Sequence, residues 1–303
     1  MAHKKIVVLI GGDARQSEIA EQCLARNMKV YMIGFDQWER NTAGIIKATG
    51  ENDIPWQIVD VLLLPVSGLK EGNKVEAQFS SSETVIKEEW LRKTKNDCLL
   101  VTGIDTEPLK KLEKRIKRKW IRLIERDDVS IYNSIPSAEG TLLMALQETD
   151  ITIHQSHTIV LGLGRTGQTI ANTFSSLGAY VKVGTVNPAE KARAEAMGLE
   201  VFDLKDLASV VEKVDICINT IPAGVITKKE LVHFPHHALI IDVASYPGGT
   251  DFTYAKQRGI KAMLAPGLPG AVAPRTAGQI LAKVVFQLLE EQVTEKEDEN
   301  AFS

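Results

Sequence analysis

Residues 158–186 read TIVLGLGRTGQTIANTFSSLGAYVKVGTV, and their pattern sets the fold. A strand-like apolar run, Ile159 to Leu161, leads into glycines at 162, 164 and 167, the spacing G-x-G-x-x-G. Ile170, Phe174 and Leu177 then recur at helical spacing, and Gly178-Ala179 turns the chain into a second strand. Three glycines alone carry little information, but between a strand and a helix they predict a dinucleotide-binding turn. The first glycine permits the tight turn, the second lets backbone approach a pyrophosphate, and the third lets helix and strand pack closely. The helix start adds free N–H groups and the positive end of its dipole. Gly162, Gly164, Arg165, Thr166 and Gly167 are therefore the phosphate-loop candidates.

The second strand of such a unit normally ends in a carboxylate that binds the ribose hydroxyls of NAD and repels the extra phosphate of NADP. Here it ends Gly184, Thr185, Val186, Asn187, with no acid at the strand end. Thr185 and Asn187 can donate hydrogen bonds to phosphate oxygens, and Lys191 and Arg193 follow on the next helix. Charge-assisted bonds favour a dianionic phosphate, so the sequence points to NADP ahead of NAD, with Thr185, Asn187 and Lys191 as its contacts.

Outward from this unit, strands are predicted at 215–219, 238–243 and 261–264, each followed by a proline- or glycine-rich loop. Thr220, Ile221 and Pro222, after the first of them, are placed against the nicotinamide ribose. The histidines 233, 236 and 237 precede a strand and lack a completing cysteine or carboxylate, so they read as structural and no metal is expected.

The amino-terminal half repeats the alternation of strand and helix. Strands are expected at 6–10, 29–35, 59–64 and 98–101, which implies a parallel sheet covered on both faces. Residues 132–136 read as a break, with Ser137 as the N-cap of a helix over 138–148. The expected fold is α/β, with two Rossmann-like doubly wound parallel-sheet domains and a cofactor cleft between them. Their bounds are 1–149 and 150–275, with a helix over 276–292 returning to the first domain and a disordered tail over 293–303.

Composition narrows the function. The chain has 303 residues, 44% hydrophobic and 25% charged, with net charge −3. Nothing in that balance draws it to nucleic acid or to an anionic membrane. The basic stretch 110–120 reads as a solvated helix face with Leu112, Ile116 and Trp120 turned inward. The cysteines 23, 98 and 217 are scattered among apolar neighbours, as free thiols in a reducing compartment would be. The apolar run 6–10 is too short for a signal peptide or a membrane span, so a cytoplasmic protein is expected.

Seven stretches together resemble the family of the A subunit of bacterial dipicolinate synthase: GGDARQ (11–16), PVSG (65–68), NSIPSAEG (133–140), VLGLGRTG (160–167), NTIPA (219–223), DVASYPGG (242–249) and PGLPGAVAPRTAG (266–278). The resemblance runs over nearly the whole chain. More distantly the chain looks like alanine dehydrogenase and the 2-hydroxyacid dehydrogenases. The resemblance implies oxidation of a dihydrodipicolinate-type precursor to dipicolinate, partnership with a flavoprotein-like B subunit, and action in the mother cell of a sporulating bacterium.

Such a substrate carries two carboxylates. Ser67, Ser134, Ser137, Arg15 and Arg275 are the candidate donors, and Glu139 is a candidate base that would equally serve a helix end. No histidine follows His237, unlike the 2-hydroxyacid dehydrogenases, which argues against simple ketone reduction. Two other readings stay open: another NAD(P)-dependent amino or keto acid dehydrogenase, and a non-catalytic protein that only binds cofactor within a complex. A homo-oligomer is left open as well.

Overall fold

The computed structural model describes residues 4–40 and 42–301, with side chains through residue 294. The chain divides into two compact units, residues 1–129 with 274–303, and residues 130–273.

Unit 1 opens with β1 (Ile6–Ile10), α1 (Ala14–Ala25), β2 (Lys29–Ile33), β3 (Ile45–Lys47) and β4 (Val61–Leu63). A small antiparallel sheet of β5 (Leu69–Lys70), β6 (Lys74–Val75) and β7 (Thr84–Val85) follows, then α2 (Glu88–Lys93), β8 (Leu99–Thr102), α3 (Glu107–Ile116) and β9 (Ile121–Arg122). The main sheet runs β3-β2-β1-β4-β8-β9, all parallel. Its order reverses between β1 and β4, the switch point where doubly wound sheets bind ligands. Every residue of β1 is buried, as a central strand covered on both faces requires. Ile6, Val8 and Ile10 point to one face, with stacked Trp56 and Trp90 and with Leu109 and Leu112 of α3. Val7 and Leu9 point to the other, with Ile19 and Cys23 of α1. Thr106 caps α3, and Lys117 ends it at φ 56. The basic stretch is thus a helix whose charges face water while Leu109, Leu112 and Ile116 are buried, and Trp120 is buried beyond its end.

α4 (Asp127–Glu148) crosses the unit boundary as one continuous helix with Pro136 inside it. This corrects two expectations. The boundary falls at 129/130 rather than 149/150, because Ala138 and Ala145 pack into the core of unit 2. Ser137 is not an N-cap but a mid-helix residue whose hydroxyl donates to the Asn133 carbonyl at 2.8 Å. Proline forgoes one ladder bond, and the serines around it satisfy local carbonyls: Ser134 Oγ donates to Ile131 O at 2.6 Å.

Unit 2 continues with β10 (His157–Leu161), α5 (Arg165–Ser176), β11 (Tyr180–Gly184), α6 (Pro188–Ala196), β12 (Glu200–Phe202), α7 (Leu207–Val210), β13 (Ile216–Asn219), α8 (Lys228–Leu231), β14 (Leu239–Asp242), α9 (Phe252–Gln257), β15 (Lys261–Leu264) and α10 (Leu268–Val272). Its sheet order is β12-β11-β10-β13-β14-β15, all parallel, with the switch point between β10 and β13. Strand residues again alternate. Val160, Ile216 and Ile218 pack with Ile170 and Phe174 of α5, while Ile159, Leu161 and Cys217 pack with Leu207, Leu231 and Phe234.

α11 (Pro274–Ala301) belongs to unit 1 and lies along α1. Gly278 lets the two helices touch, since a Cβ there would fall 2.7 Å from the Arg15 carbonyl. The helix continues to Ala301, so the expected tail is helical backbone over 293–301, and residues 302–303 lie outside the described residues. Among the described residues no helix is long and apolar enough to cross a membrane.

Candidate dinucleotide site and a second ligand pocket

The turn after β10 has the geometry its glycines imply. Gly162 adopts φ 83, and a Cβ on it would lie 2.7 Å from Thr220 Oγ1. A Cβ on Gly167 would lie 2.1 Å from the Gly162 carbonyl, so α5 and the turn can close only over a glycine. Gly164 differs: nothing lies within 4 Å of where its Cβ would be. Its lack of a side chain is not needed by the protein's own packing; it keeps open a surface that a ligand backbone or phosphate can approach. Gly164 is also the N-cap of the twelve-residue helix α5, and no side chain caps that end. Open space and an uncapped helix start make a cradle that fits a diphosphate.

Across the switch point, Thr220 donates its hydroxyl to the Leu161 carbonyl at 2.8 Å, tying the loop after β13 to the end of β10. Two buried polar residues that sequence reading missed hold the carboxyl edge. Asn219, fully buried, accepts from Ile221 N at 3.1 Å and donates to Ile221 O at 3.0 Å. Asp242, also fully buried, accepts from Ala244 N, Gly249 N and Thr250 Oγ1 at 3.2, 2.8 and 2.7 Å. The signal was available: each is the polar last residue of an otherwise apolar strand, ICIN and LIID. Together they present Thr220, Ile221 and exposed Pro222 beside the glycine turn.

The ribose corner departs from expectation. Thr185 is 3% exposed, and its hydroxyl donates to Glu190 Oε2 at 2.6 Å. The same Glu190 oxygen accepts Leu163 N, in the glycine turn, at 3.0 Å. The Asn187 side chain caps α6, accepting from Ala189 N at 2.9 Å. Lys191 pairs with Asp203 at 3.0 Å. All three phosphate-contact candidates are thus engaged, and an acid does occupy the corner. It arrives from the first turn of α6 instead of the strand end, where a strand-based search does not look.

Unit 1 has its own pocket at its own switch point. A cavity of about 370 Å³ is lined by Gly12 and Asp13 after β1, Pro65 and Ser67 after β4, and Glu76, Ala77 and Gln78. Arg15 grips Asp13 through Nε at 3.0 Å and Nη2 at 2.6 Å. Burial pushes the Asp13 carboxyl up, but the bonds and charge of Arg15 outweigh it and hold the group below its ordinary range. Lys70, at 2.5 Å, does most to lower Glu76, with Ser67 a lesser neighbour. Ser67 Oγ is buried without a geometrically complete hydrogen bond, and so is Gln16 Nε2. Ser67 Oγ lines the cavity with only the Glu76 carboxylate beside it, and an anionic or carbonyl ligand there would give this buried donor a partner.

The other predicted substrate residues are not gathered there. Ser134 is 1% exposed and shares a 2.6 Å hydrogen bond with Thr169 of α5. Glu139 is exposed on α4. Arg275 is 81% exposed at its side chain, with its nearest acid, Glu18, at 3.8 Å. His237 pairs with Asp215, just before β13, at 3.3 Å. Among the described residues no three His, Cys, Asp or Glu side chains converge to hold a metal ion.

Two doubly wound units, one with an open glycine cradle, define a dehydrogenase-like oxidoreductase. Residues 6–124 match the family described as the N-terminal domain of the dipicolinate synthase A subunit, and residues 132–303 match alanine dehydrogenase/PNT, C-terminal domain. The dipicolinate synthase A subunit of Bacillus subtilis (strain 168) is 48% identical over 94% of this chain and 96% of that protein. The crystal structure of the dipicolinate synthase A subunit from Bacillus halodurans superposes with TM-score 0.90 at 49% identity, covering 94% of this chain and 97% of that one. The crystal structure of its Bacillus subtilis counterpart gives 0.91 at 47%, covering 97% and 99%. A transhydrogenase from Sinorhizobium meliloti, 16% identical with TM-score 0.67 over 95% and 94%, shares the fold. This chain belongs to the family of the dipicolinate synthase A subunit. That designation implies a partner subunit.

Proposed function

We propose that the chain is the dehydrogenase component that oxidises a dihydrodipicolinate-type precursor to dipicolinate, pyridine-2,6-dicarboxylate, with a nicotinamide dinucleotide held on the Gly162–Gly167 turn. The open cradle at Gly164 is the observation that carries this reading. The resemblance supports action in the cytoplasm of the mother cell of a sporulating bacterium, with a flavoprotein-like B subunit for partner. The bound cofactor would supply the hydride acceptor. Gly164, Thr166 and Gly167 would hold its diphosphate, Glu190 its adenine ribose, and Thr220, Ile221 and Pro222 would line its nicotinamide end.

The dihydropyridine ring gives up a hydride and a proton and becomes aromatic, so the step is strongly downhill and the protein's task is mainly positioning. Ser67, in the lining of the unit 1 pocket, and Arg15, paired with Asp13 of that lining, would take one substrate carboxylate. The exposed Arg275 guanidinium is a candidate for the other. Asp13, kept ionised by Arg15, orients that residue's guanidinium and is a poor proton acceptor at neutral pH.

The dinucleotide is NAD on the first reading, because Glu190 puts a negative charge where an adenosine 2′-phosphate would lie. NADP is the second reading. It is favoured by the shallow Lys191–Asp203 pair, 32% and 27% exposed, which costs little to break if Lys191 turns to a phosphate. The test supplies an enzymatically generated precursor with NAD or NADP, with and without the partner, and follows dipicolinate by its ultraviolet absorbance. Dinucleotide-dependent product is expected. No product in any combination, with binding intact, would leave a cofactor-binding scaffold; turnover of alanine or shikimate-like acids instead would mark a different dehydrogenase.

A further inference from the structure

We propose that Tyr246 is the surface on which the substrate ring stacks, the side chain by which unit 2 selects a planar diacid over a puckered one. The inference rests on the proposed oxidation and adds the group that recognises its ring. Tyr246 lies on the loop after β14 and is 83% exposed. The loop beneath it is firmly held. Buried Asp242 accepts from Ala244 N, Gly249 N and Thr250 Oγ1, and Gly248 N donates to Ser245 O at 2.9 Å. A Cβ on Gly249 would fall 2.2 Å from the Ala223 carbonyl, so this loop is pressed against the one after β13. The Gly249 carbonyl also accepts Val225 N and Ile226 N at 3.0 and 2.9 Å. Val243 packs against the core and Ala244 is buried. What stays exposed is the tip, residues 245–247, and Tyr246 is its one aromatic side chain. A lone surface aromatic needs no explanation on a mobile loop; here backbone bonds on both sides hold it at one place.

The sheet order says what that place is. β11, β10, β13 and β14 follow one another, and their carboxyl ends form the edge where such sheets bind ligands. The Glu190 corner follows β11 and the glycine cradle follows β10. A dinucleotide with its adenine ribose at Glu190 therefore sends its nicotinamide the other way, over β13 toward β14. Two strand spacings, about 10 Å, separate β10 from β14. The Tyr246 loop is the next element beyond Thr220, Ile221 and Pro222, so a substrate that hands hydride to that nicotinamide sits beside it. Cationic and hydroxyl donors can hold two carboxylates, but they accept any diacid of the right spacing. An aromatic side chain distinguishes the ring itself, because offset or edge-to-face contacts favour a flat π-system. The ring of Tyr246, not its hydroxyl, carries this role.

The oxidation is strongly downhill, so a complex of the reduced cofactor with dipicolinate does not react back and can be titrated at equilibrium. The full chain is loaded with whichever of NADH and NADPH binds tighter, followed by cofactor fluorescence. Dipicolinate and cis-cyclohexane-1,3-dicarboxylate, both dianions with the same arrangement of carboxylates, are then titrated by calorimetry. Tyr246→Ala should leave cofactor affinity and Tm unchanged, as befits an exposed position. It should weaken dipicolinate about threefold to tenfold more than it weakens the saturated acid. Tyr246→Phe should bind both acids within about twofold of wild type, since it keeps the ring. Equal losses for the two acids, no loss for either, or a Tyr246→Phe defect as large as that of Tyr246→Ala would each overturn the proposal while the cofactor reading stands. A wild type that binds neither reduced cofactor would remove the cofactor reading and this inference with it.

Discussion

Glu190→Gln is the substitution that separates the two cofactor readings. Glutamine keeps an oxygen to accept Leu163 N and Thr185 Oγ1, so the corner should hold its shape while losing its charge. A 2′-phosphate roughly 5 Å from the carboxylate, at an effective dielectric between about 20 and 80, is opposed by about 1–3 kcal/mol per unit charge. Loss of the charge-assisted bond to a ribose hydroxyl weakens NAD by about 1 kcal/mol more than a neutral acceptor would. The two effects add to about 2–4 kcal/mol in the ratio of affinities, which should move toward NADP by about thirtyfold to a thousandfold. Titrating the reduced cofactors by their fluorescence measures the ratio without any substrate. Wild type should prefer NADH, and the variant should lose most of that preference. A ratio unchanged by the substitution would show that Glu190 only braces the turn, and the assignment of the ribose corner would fall with it.

Gly164→Ala should lower dinucleotide affinity by about tenfold or more while shifting Tm by only ~1–2 °C, the size expected from a small N-cap change. Gly167→Ala should instead unfold unit 2 readily, because its Cβ would lie 2.1 Å from the Gly162 carbonyl; equal melting of the two variants in calorimetry would contradict the packing argument. Burial pushes the Asp60 carboxyl up, but bonds from Lys95, Ile6 N and Lys5 outweigh it and hold the group below its ordinary range. Its stabilisation is therefore present above the unfolded value of about 3.9 and disappears as pH falls through the lower folded one. Urea unfolding should find Asp60→Asn weaker by about 1–3 kcal/mol at pH 7, with the gap closing in acid; a gap independent of pH would refute the ion-pair account. Burial raises the thiols of Cys23 to about 12 and Cys98 to about 11, and raises Cys217 too. Thiol reagents should thus titrate three cysteines in denaturant and almost none in the native chain, and a fast native thiol would place one of them at a surface.

The second unit is largely legible in the sequence because its strands are buried on both faces and its turns are punctuated by glycine. Strand β15 has its expected bounds, 261–264, and β13 and β14 fall within a residue of theirs at each end. Edge strands of two or three residues are not legible. Glu200–Phe202 and Ile121–Arg122 pair on one side only and carry charged residues that no alternation rule flags. The helix across Pro136 escapes a local reading because proline argues for a break, and only packing into the core of unit 2 outweighs it. The glycine turn can be read from spacing, since Gly162 and Gly167 answer backbone demands and Gly164 leaves the surface between them open. The acid beside it cannot, because Glu190 reaches the turn through the fold of α6 and not through its position in a motif. The unit 1 pocket is half visible: GGDARQ and PVSG end the two strands at the switch point, but the contribution of Glu76, Ala77 and Gln78 comes from an antiparallel insertion that the alternation of strand and helix hides.

The most direct test is a crystal of the protein grown with NAD, inspected at the carboxyl end of β10. The account predicts a diphosphate against the backbone of residues 164–167 and an adenine ribose within hydrogen-bonding distance of Glu190. A dinucleotide bound elsewhere, or a turn left bare at saturating cofactor, would contradict it.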